Sequence, residues 1–307
     1  MVFGGTRRSY AISTIDETPI FYEVSESTSA GESAAATVVL TDGIGCDGYV
    51  WKYLKGDLAT ERQIIHWHYR GHGRSPLPRD PRRIAIADLA DDLAEVLSDS
   101  GTDAAVLLGH SMGVQVVLET YRRHPDRVRG LVLLCGAPEN PLRTFRGSAG
   151  AELFLPRVRS AVERAPRLIN RAARLLIPTR LAYSLAARLE INAELMQASD
   201  FMPYLRGLSR VEVPFFLSML AAAGEHSAID LLPHVMVPTL VVAGEADGFT
   251  PPDLSQAMAD AIPDSELLVV QAGSHTAPLE RPELVGRTVR EFLSRRVDGK
   301  GGEREPA

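Results

Sequence analysis

The chain has 307 residues, of which 45% are hydrophobic and 23% charged, a composition that supplies a buried core and excludes wholesale disorder. At about 150 residues per domain, the length fits two units or one α/β domain carrying a large insertion. The formal net charge of −6 makes most of the surface repel nucleic acid, and two cysteines, Cys46 and Cys135, are too few for a disulfide framework and lack zinc-site spacing.

Residues 9–14 and 20–24 are short β-prone runs around the polar turn Asp16-Glu17-Thr18-Pro19 and predict a hairpin. The basic start, Arg7 and Arg8, has no apolar run behind it. No stretch approaches the roughly 18 apolar residues of a membrane span. A secretory leader and stable membrane insertion are therefore not expected, and the default compartment is the cytoplasm. Residues 25–32, rich in Ser, Gly and Ala, read as an exposed loop.

From there strand and helix signals alternate. Residues 37–40 and 63–69 predict buried strands. Ile86, Leu89, Leu93 and Val96/Leu97 recur at helical spacing, which predicts an amphipathic helix over 86–97. An all-apolar strand over 104–108 is followed by a helix at about 114–124, a strand at 131–134, two more strands at 239–243 and 267–270, and a closing helix marked by Val285, Val289 and Phe292. Continuous apolar strands separated by helices imply a parallel sheet covered on both faces. The expected fold class is α/β: a doubly wound, mostly parallel sheet with an antiparallel hairpin at its first edge.

Residues 138–227 break the alternation. They contain no convincing strand and read as helical stretches broken at Pro156, Pro166, Pro178, Pro203 and Pro214. The expected organisation is a core of 1–137 and 228–297, a helical cap of 138–227, and a disordered tail of 298–307. Within the cap, residues 141–190 hold ten arginines against three glutamates, which suits either a solvated surface or a lid favouring anionic or lipid-like substrates.

The chemistry is carried by Gly109-His110-Ser111-Met112-Gly113, which follows a strand and opens a helix, the setting in which G-x-S-x-G forms a nucleophile elbow. Glycines flank the turn where a Cβ would collide, and Ser111 projects above the sheet edge at the amino end of a helix. A serine hydroxyl needs a base. His275 follows the last strand at the same carboxyl edge, where ligands bind in such sheets, whereas the adjacency of His110 to Ser111 points its ring elsewhere. The base needs a carboxylate: Asp247, in the loop after residues 239–243, is the expected acid, with Glu245 and Glu139 as competitors. Backbone donors for an oxyanion are expected from Met112 and Ile44, and Trp51 and Phe249 lie near enough to the same loops to line a substrate pocket.

These segments resemble the α/β-hydrolase fold superfamily, in its cofactor-free serine esterase/haloperoxidase-like group. The match runs in order through the oxyanion loop at Asp42-Gly43-Ile44, Tyr69-Arg70-Gly71-His72-Gly73-Arg74-Ser75, the elbow, and the loops ending in Asp247 and His275. The resemblance implies a helical cap over the site. In one respect the chain departs from it: Asp42 stands where the family usually has histidine, which puts the loop's hydrogen bonding in question. Ser111 also separates the chain from epoxide hydrolases and haloalkane dehalogenases, which attack through an aspartate.

The expected activity is hydrolysis of a small-molecule carboxylic ester through an acyl-enzyme, needing no metal or organic cofactor. The triad also suits a thioesterase, a lactonase, a carbon–carbon bond hydrolase or a perhydrolase. A ligand-binding receptor of this fold with vestigial turnover is the alternative of a different class.

Overall fold

Each apolar run becomes a strand, and alternate side chains along it point to opposite faces of one sheet. In the computed structural model the described residues are 5–28, 35–140, 150–189, 191–192 and 194–299. Strands β1 (Thr6–Ile12) and β2 (Pro19–Ser25) form the hairpin. They are followed by β3 (Val38–Thr41), helix α1 (Lys52–Leu58), β4 (Ile64–Trp67), α2 (Ile86–Ser100), β5 (Ala105–His110), α3 (Met112–Arg123) and β6 (Val128–Leu134). Among the described residues, five α-helices then intervene: α4 (Gly150–Glu163), α5 (Pro166–Leu176), α6 (Arg180–Leu189), α7 (Ala198–Leu208) and α8 (Val213–Glu225). The chain returns through β7 (Thr239–Gly244), α9 (Pro252–Ala261), β8 (Ser265–Val270), α10 (Ala277–Glu280) and α11 (Pro282–Phe292).

The strands lie in the order β1-β2-β4-β3-β5-β6-β7-β8. β2 pairs antiparallel with both β1 and β4, and every pairing from β4 to β8 is parallel. One face presents Val39, Leu107 and Leu131 to α2, α3 and α9. The other presents Leu40, Leu108 and Val132 to α1 and α11. This is the doubly wound α/β sheet that continuous apolar strands require, since a parallel sheet must be covered on both sides.

Helix α2 shows how local sequence sets an element. Its apolar stripe faces the sheet, Asp88 accepts the Ala85 N–H at 3.0 Å to close the first turn, and Gly101, at φ 76°, ends it by donating to Leu97 O. Only glycine adopts that conformation without strain.

Two details differ from the sequence reading. Pro156 and Pro203 lie inside α4 and α7, each in the second turn; each removes one intrahelical bond without ending its helix. Pro166 and Pro214 instead open α5 and α8, where the missing N–H has no intrahelical partner to lose. Asp298, expected in the tail, has a buried side chain: it pairs with Arg62 at 3.1 Å and accepts the Ala36 N–H at 3.0 Å. Residues 300–307 of the expected tail and 29–32 of the expected loop lie outside the described residues, as does 141–149 of the basic stretch. Among the described residues, no helix is long and apolar enough to cross a membrane.

Candidate active site

The carboxyl ends of the parallel strands collect the residues singled out above. Ser111 directly follows β5, Asp247 follows β7, His275 follows β8, and the Asp42–Ile44 loop follows β3. Ser111 has φ 56° and ψ −120°, a strained conformation for a residue with a Cβ. It holds there because the neighbours leave no alternative path. A Cβ on Gly109 would strike the Gly113 carbonyl, and one on Gly113 would strike the Thr41 carbonyl. The helix accordingly begins at Met112, two residues earlier than the apolar pattern indicates, and the Met112 N–H is among the amides left without an intrahelical partner.

Ser111 Oγ lies 2.9 Å from His275 Nε2, and His275 Nδ1 lies 2.9 Å from Asp247 Oδ2. Since a carboxylate only accepts, Nδ1 carries the proton and Nε2 offers its lone pair to the hydroxyl. Asp247 is fixed in turn: its Oδ1 accepts the Phe249 and Thr250 N–H groups at 2.8 and 2.9 Å, and its Oδ2 accepts the Thr250 hydroxyl at 2.8 Å. Burial alone would raise the Asp247 carboxyl, but the neighbouring His275 and the bonds from Thr250 outweigh it and hold the pKa below the usual carboxylate range. Of the competing acids, Glu245 is turned back to accept the Ala272 N–H at 2.9 Å, and Glu139 sits half-buried in the loop after β6.

Asp42, the departure from the family pattern, is buried and fully engaged. It accepts the Trp51 indole N–H at 2.7 Å, pairs with His66 Nε2 at 2.9 Å, and its carbonyl takes the Tyr69 hydroxyl at 2.5 Å. The next turn is pinned by the Gly45 N–H, which donates to His72 Nε2 at 2.9 Å. Through that bond the 69–75 motif braces the β3 loop, while Arg70 in the same motif is anchored to Asp92 by two bonds of 2.7 and 2.6 Å. Gly43 comes so close to the elbow that a Cβ there would lie 3.1 Å from Ser111 Cβ.

A cavity of about 390 Å³ opens over Ser111 and His275. Gly43, Ile44 and Met112 lie in its wall, as does Phe249, whose ring packs on His275 at 4.9 Å. From the intervening helices come Phe201, Tyr204, Phe216 and Leu220. Trp51, expected at the pocket wall, lies instead beneath the β3 loop, because Asp42 captures its indole. The ring of His110, expected to point away, does not: its Nε2 lies 3.0 Å from the His275 carbonyl, and it contributes to the same wall. Thr250 is a residue that the sequence reading misses, although an Asp followed three residues later by Thr at a helix entrance is a readable turn signature. Cys46 also reaches the cavity, but burial pushes its thiol well above the ordinary value, so it offers little thiolate.

Three buried histidines make the site acid-sensitive. His72 must stay neutral at Nε2 to accept from Gly45, and His68 Nδ1 accepts the Arg74 N–H at 2.9 Å. Burial, chiefly, pushes His72 and His110 down to about 4 and His68 to about 3. In the unfolded chain each titrates near about 6.5, so between those values the unfolded state binds more protons and stability falls as pH falls. At pH 5.5 the three should cost about 4 kcal/mol relative to pH 7.5. Denaturant midpoints measured at the two pH values check this; an unchanged midpoint contradicts it.

A relative from Azorhizobium caulinodans, provisionally named carbamate hydrolase RutD, is 28% identical over 272 residues, covering 86% of this chain and 91% of its own. Among solved structures, a thermophilic esterase from Thermogutta terrifontis is 27% identical with TM-score 0.71, over 95% of this chain and 99% of that one. The enol-lactonase from Burkholderia xenovorans LB400 superposes with TM-score 0.74 at 23% identity, over 93% and 99% of the two chains, a likeness of fold. Residues 36–282 match the profile of the alpha/beta hydrolase fold, and on that match the chain belongs to the α/β-hydrolase fold family.

Proposed function

We propose that the chain is a serine hydrolase that cleaves a small-molecule carboxylic ester through an acyl-enzyme on Ser111. The observation that carries this reading is the pair of 2.9 Å bonds linking Ser111, His275 and Asp247 at the floor of the cavity. His275 Nε2 takes the hydroxyl proton as Oγ attacks the carbonyl carbon, and Asp247 stabilises the imidazolium that forms. The Ile44 and Met112 amides receive the developing oxyanion. His275 then passes the proton to the departing alkoxide, and water repeats the sequence to release the acid. Every proton and charge in this scheme is handled by a side chain or amide of the chain itself. Helices α4–α8 act as a cap that closes an apolar wall over the acyl group.

The carbamate in the name of the Azorhizobium relative and the enol-lactone in that of the Burkholderia enzyme present carbonyls open to the same attack, as do thioesters. What favours an ester with an apolar acyl chain is the wall: Phe201, Phe216, Leu220 and Phe249 surround about 390 Å³, far more room than carbamic acid fills. Each methylene buried there is worth about 0.8 kcal/mol, or roughly fourfold in kcat/KM. For p-nitrophenyl esters of graded acyl length, kcat/KM should climb until the cavity is full and then drop. A panel including thioesters and lactones tests the reading, and failure to hydrolyse any ester in it refutes it.

A further inference from the structure

The arginine-rich stretch between β6 and β7 takes no part in the triad chemistry. Residues 150–189 hold eight arginines against two glutamates, in a chain whose net charge is −6. A surface helix ordinarily turns its apolar stripe toward the core; α5 does not. Leu168, Ala172 and Leu175 recur at i, i+4 and i+7 and so share one face. Leu168 and Leu175 are each 69% exposed, and Leu176 beside them is exposed as well. Arg167, Arg171 and Arg174, at the same spacing, make a second exposed row alongside the first. The side of α5 turned to the protein is a third one, where Asn170 Oδ1 accepts the Val213 N–H of α8 at 2.8 Å.

The flanking helices continue the pattern. Leu181, at the start of α6, is 81% exposed, and Leu185 follows one turn later, also exposed. Leu175, Leu176 and Leu181 thus flank the short turn that joins α5 to α6. On α4, Phe154 and Val158 are exposed, and the Arg157 guanidinium lies over the Phe154 ring at 5.9 Å. Elsewhere surface arginines meet carboxylates, as Arg122 meets Asp230 and Arg123 meets Asp91. Among the described residues, Arg157, Arg164, Arg167, Arg171, Arg174 and Arg180 meet none.

Leucines in water beside guanidinium groups that face no carboxylate suit a partner with an anionic surface and an apolar interior. Nucleic acid offers no apolar phase for the leucines. A second copy meeting through the same face would set arginine against arginine. An anionic bilayer supplies acyl chains for the leucines and phosphates for the guanidinium heads. We propose that helices α4–α6 form the face by which the protein docks peripherally on an anionic lipid surface, with Leu168, Leu175 and Leu181 below the headgroups and the arginines among them. Phe201, Tyr204, Phe216 and Leu220, which line the cavity, belong to α7 and α8. Among the described residues, docking and the cavity wall therefore use different helices, and the proposal does not rest on the reaction assigned to Ser111.

The test is co-sedimentation of the full chain with phosphatidylcholine vesicles, with and without about one-third phosphatidylglycerol. Wild type should bind the anionic vesicles at least about tenfold tighter than the neutral ones. That preference should fade between about 0.1 M and about 1 M salt, as the screening length falls from about 10 Å to about 3 Å. Leu168→Gln combined with Leu175→Gln and Leu181→Gln should weaken binding about tenfold. Arg167→Gln combined with Arg171→Gln and Arg174→Gln should weaken it about a hundredfold. Both sets alter exposed side chains, so each should keep the wild-type thermal midpoint. Wild type that stays in solution with both vesicles, or binds them equally, overturns the proposal without any variant. Binding that survives the leucine substitutions reports charge attraction alone and overturns the docking face. A wild-type dimer in sedimentation velocity that those substitutions dissociate, with no vesicle binding, overturns the proposal in favour of contact between copies.

Discussion

Ser111→Ala should lower ester hydrolysis by about five to six orders of magnitude, the scale of loss when a triad serine is removed from a hydrolase whose members act as a unit. The residue that replaces it keeps a Cβ, so the φ of 56° at the elbow is no more strained than before, and the collisions that require Gly109 and Gly113 are untouched. What disappears is Oγ and its bond to His275. The thermal midpoint should therefore stay within a few degrees of wild type while kcat collapses. Both can be read on one preparation, by calorimetry and by p-nitrophenolate release. A variant with more than about a hundredth of wild-type activity would place the nucleophile elsewhere.

The second large effect is expected at Asp247→Asn, about 10⁴-fold in kcat with KM little changed. Two N–H groups, from Phe249 and Thr250, point at Oδ1, so the oxygen of an introduced asparagine would take that place. Its NH2 would then face His275 Nδ1, where two donors cannot meet. The imidazole would be driven to the tautomer with its proton on Nε2, losing the lone pair that faces Ser111. Steady-state kinetics on the variant check this. Unchanged turnover there, with loss at Glu139→Gln, would relocate the acid.

The sheet can be read from sequence because the inner parallel strands, such as β3, β5 and β7, are buried on both faces and so appear as apolar runs, while the edge strand β8 is only partly covered. The elbow is legible for a related reason: a strand, two glycines and a helix in close succession leave few other conformations for Ser111. The bracing of the β3 loop is not legible. Asp42 is held by Trp51, His66 and Tyr69, residues 9, 24 and 27 positions away, and a bond between distant strands leaves no local periodicity. The same holds for Asp298, whose partner Arg62 lies 236 residues back. Within α4–α8 the aromatic residues recur at spacings that fit a cap core or a cavity wall equally well. Only the packing separates Phe201, Tyr204 and Phe216, which reach the cavity, from Phe154, which is 61% exposed.

The histidines teach a similar lesson. His72 belongs to a motif visible in the sequence, but its acceptor role toward Gly45 follows from a neutral ring at a buried position. For His110, the sequence expectation rests on the divergence of neighbouring side chains along a strand. At a strained turn that rule fails, and its ring comes within 5.1 Å of the His275 ring.

The most direct test of the account is covalent. A fluorophosphonate ester attacked by an activated serine transfers its phosphonyl group to Oγ and releases fluoride. Peptide mass spectrometry after such treatment should find one adduct, on Ser111, formed in wild type and abolished in Ser111→Ala. A wild-type protein that stays unmodified, or an adduct on another residue that persists in Ser111→Ala, would contradict it.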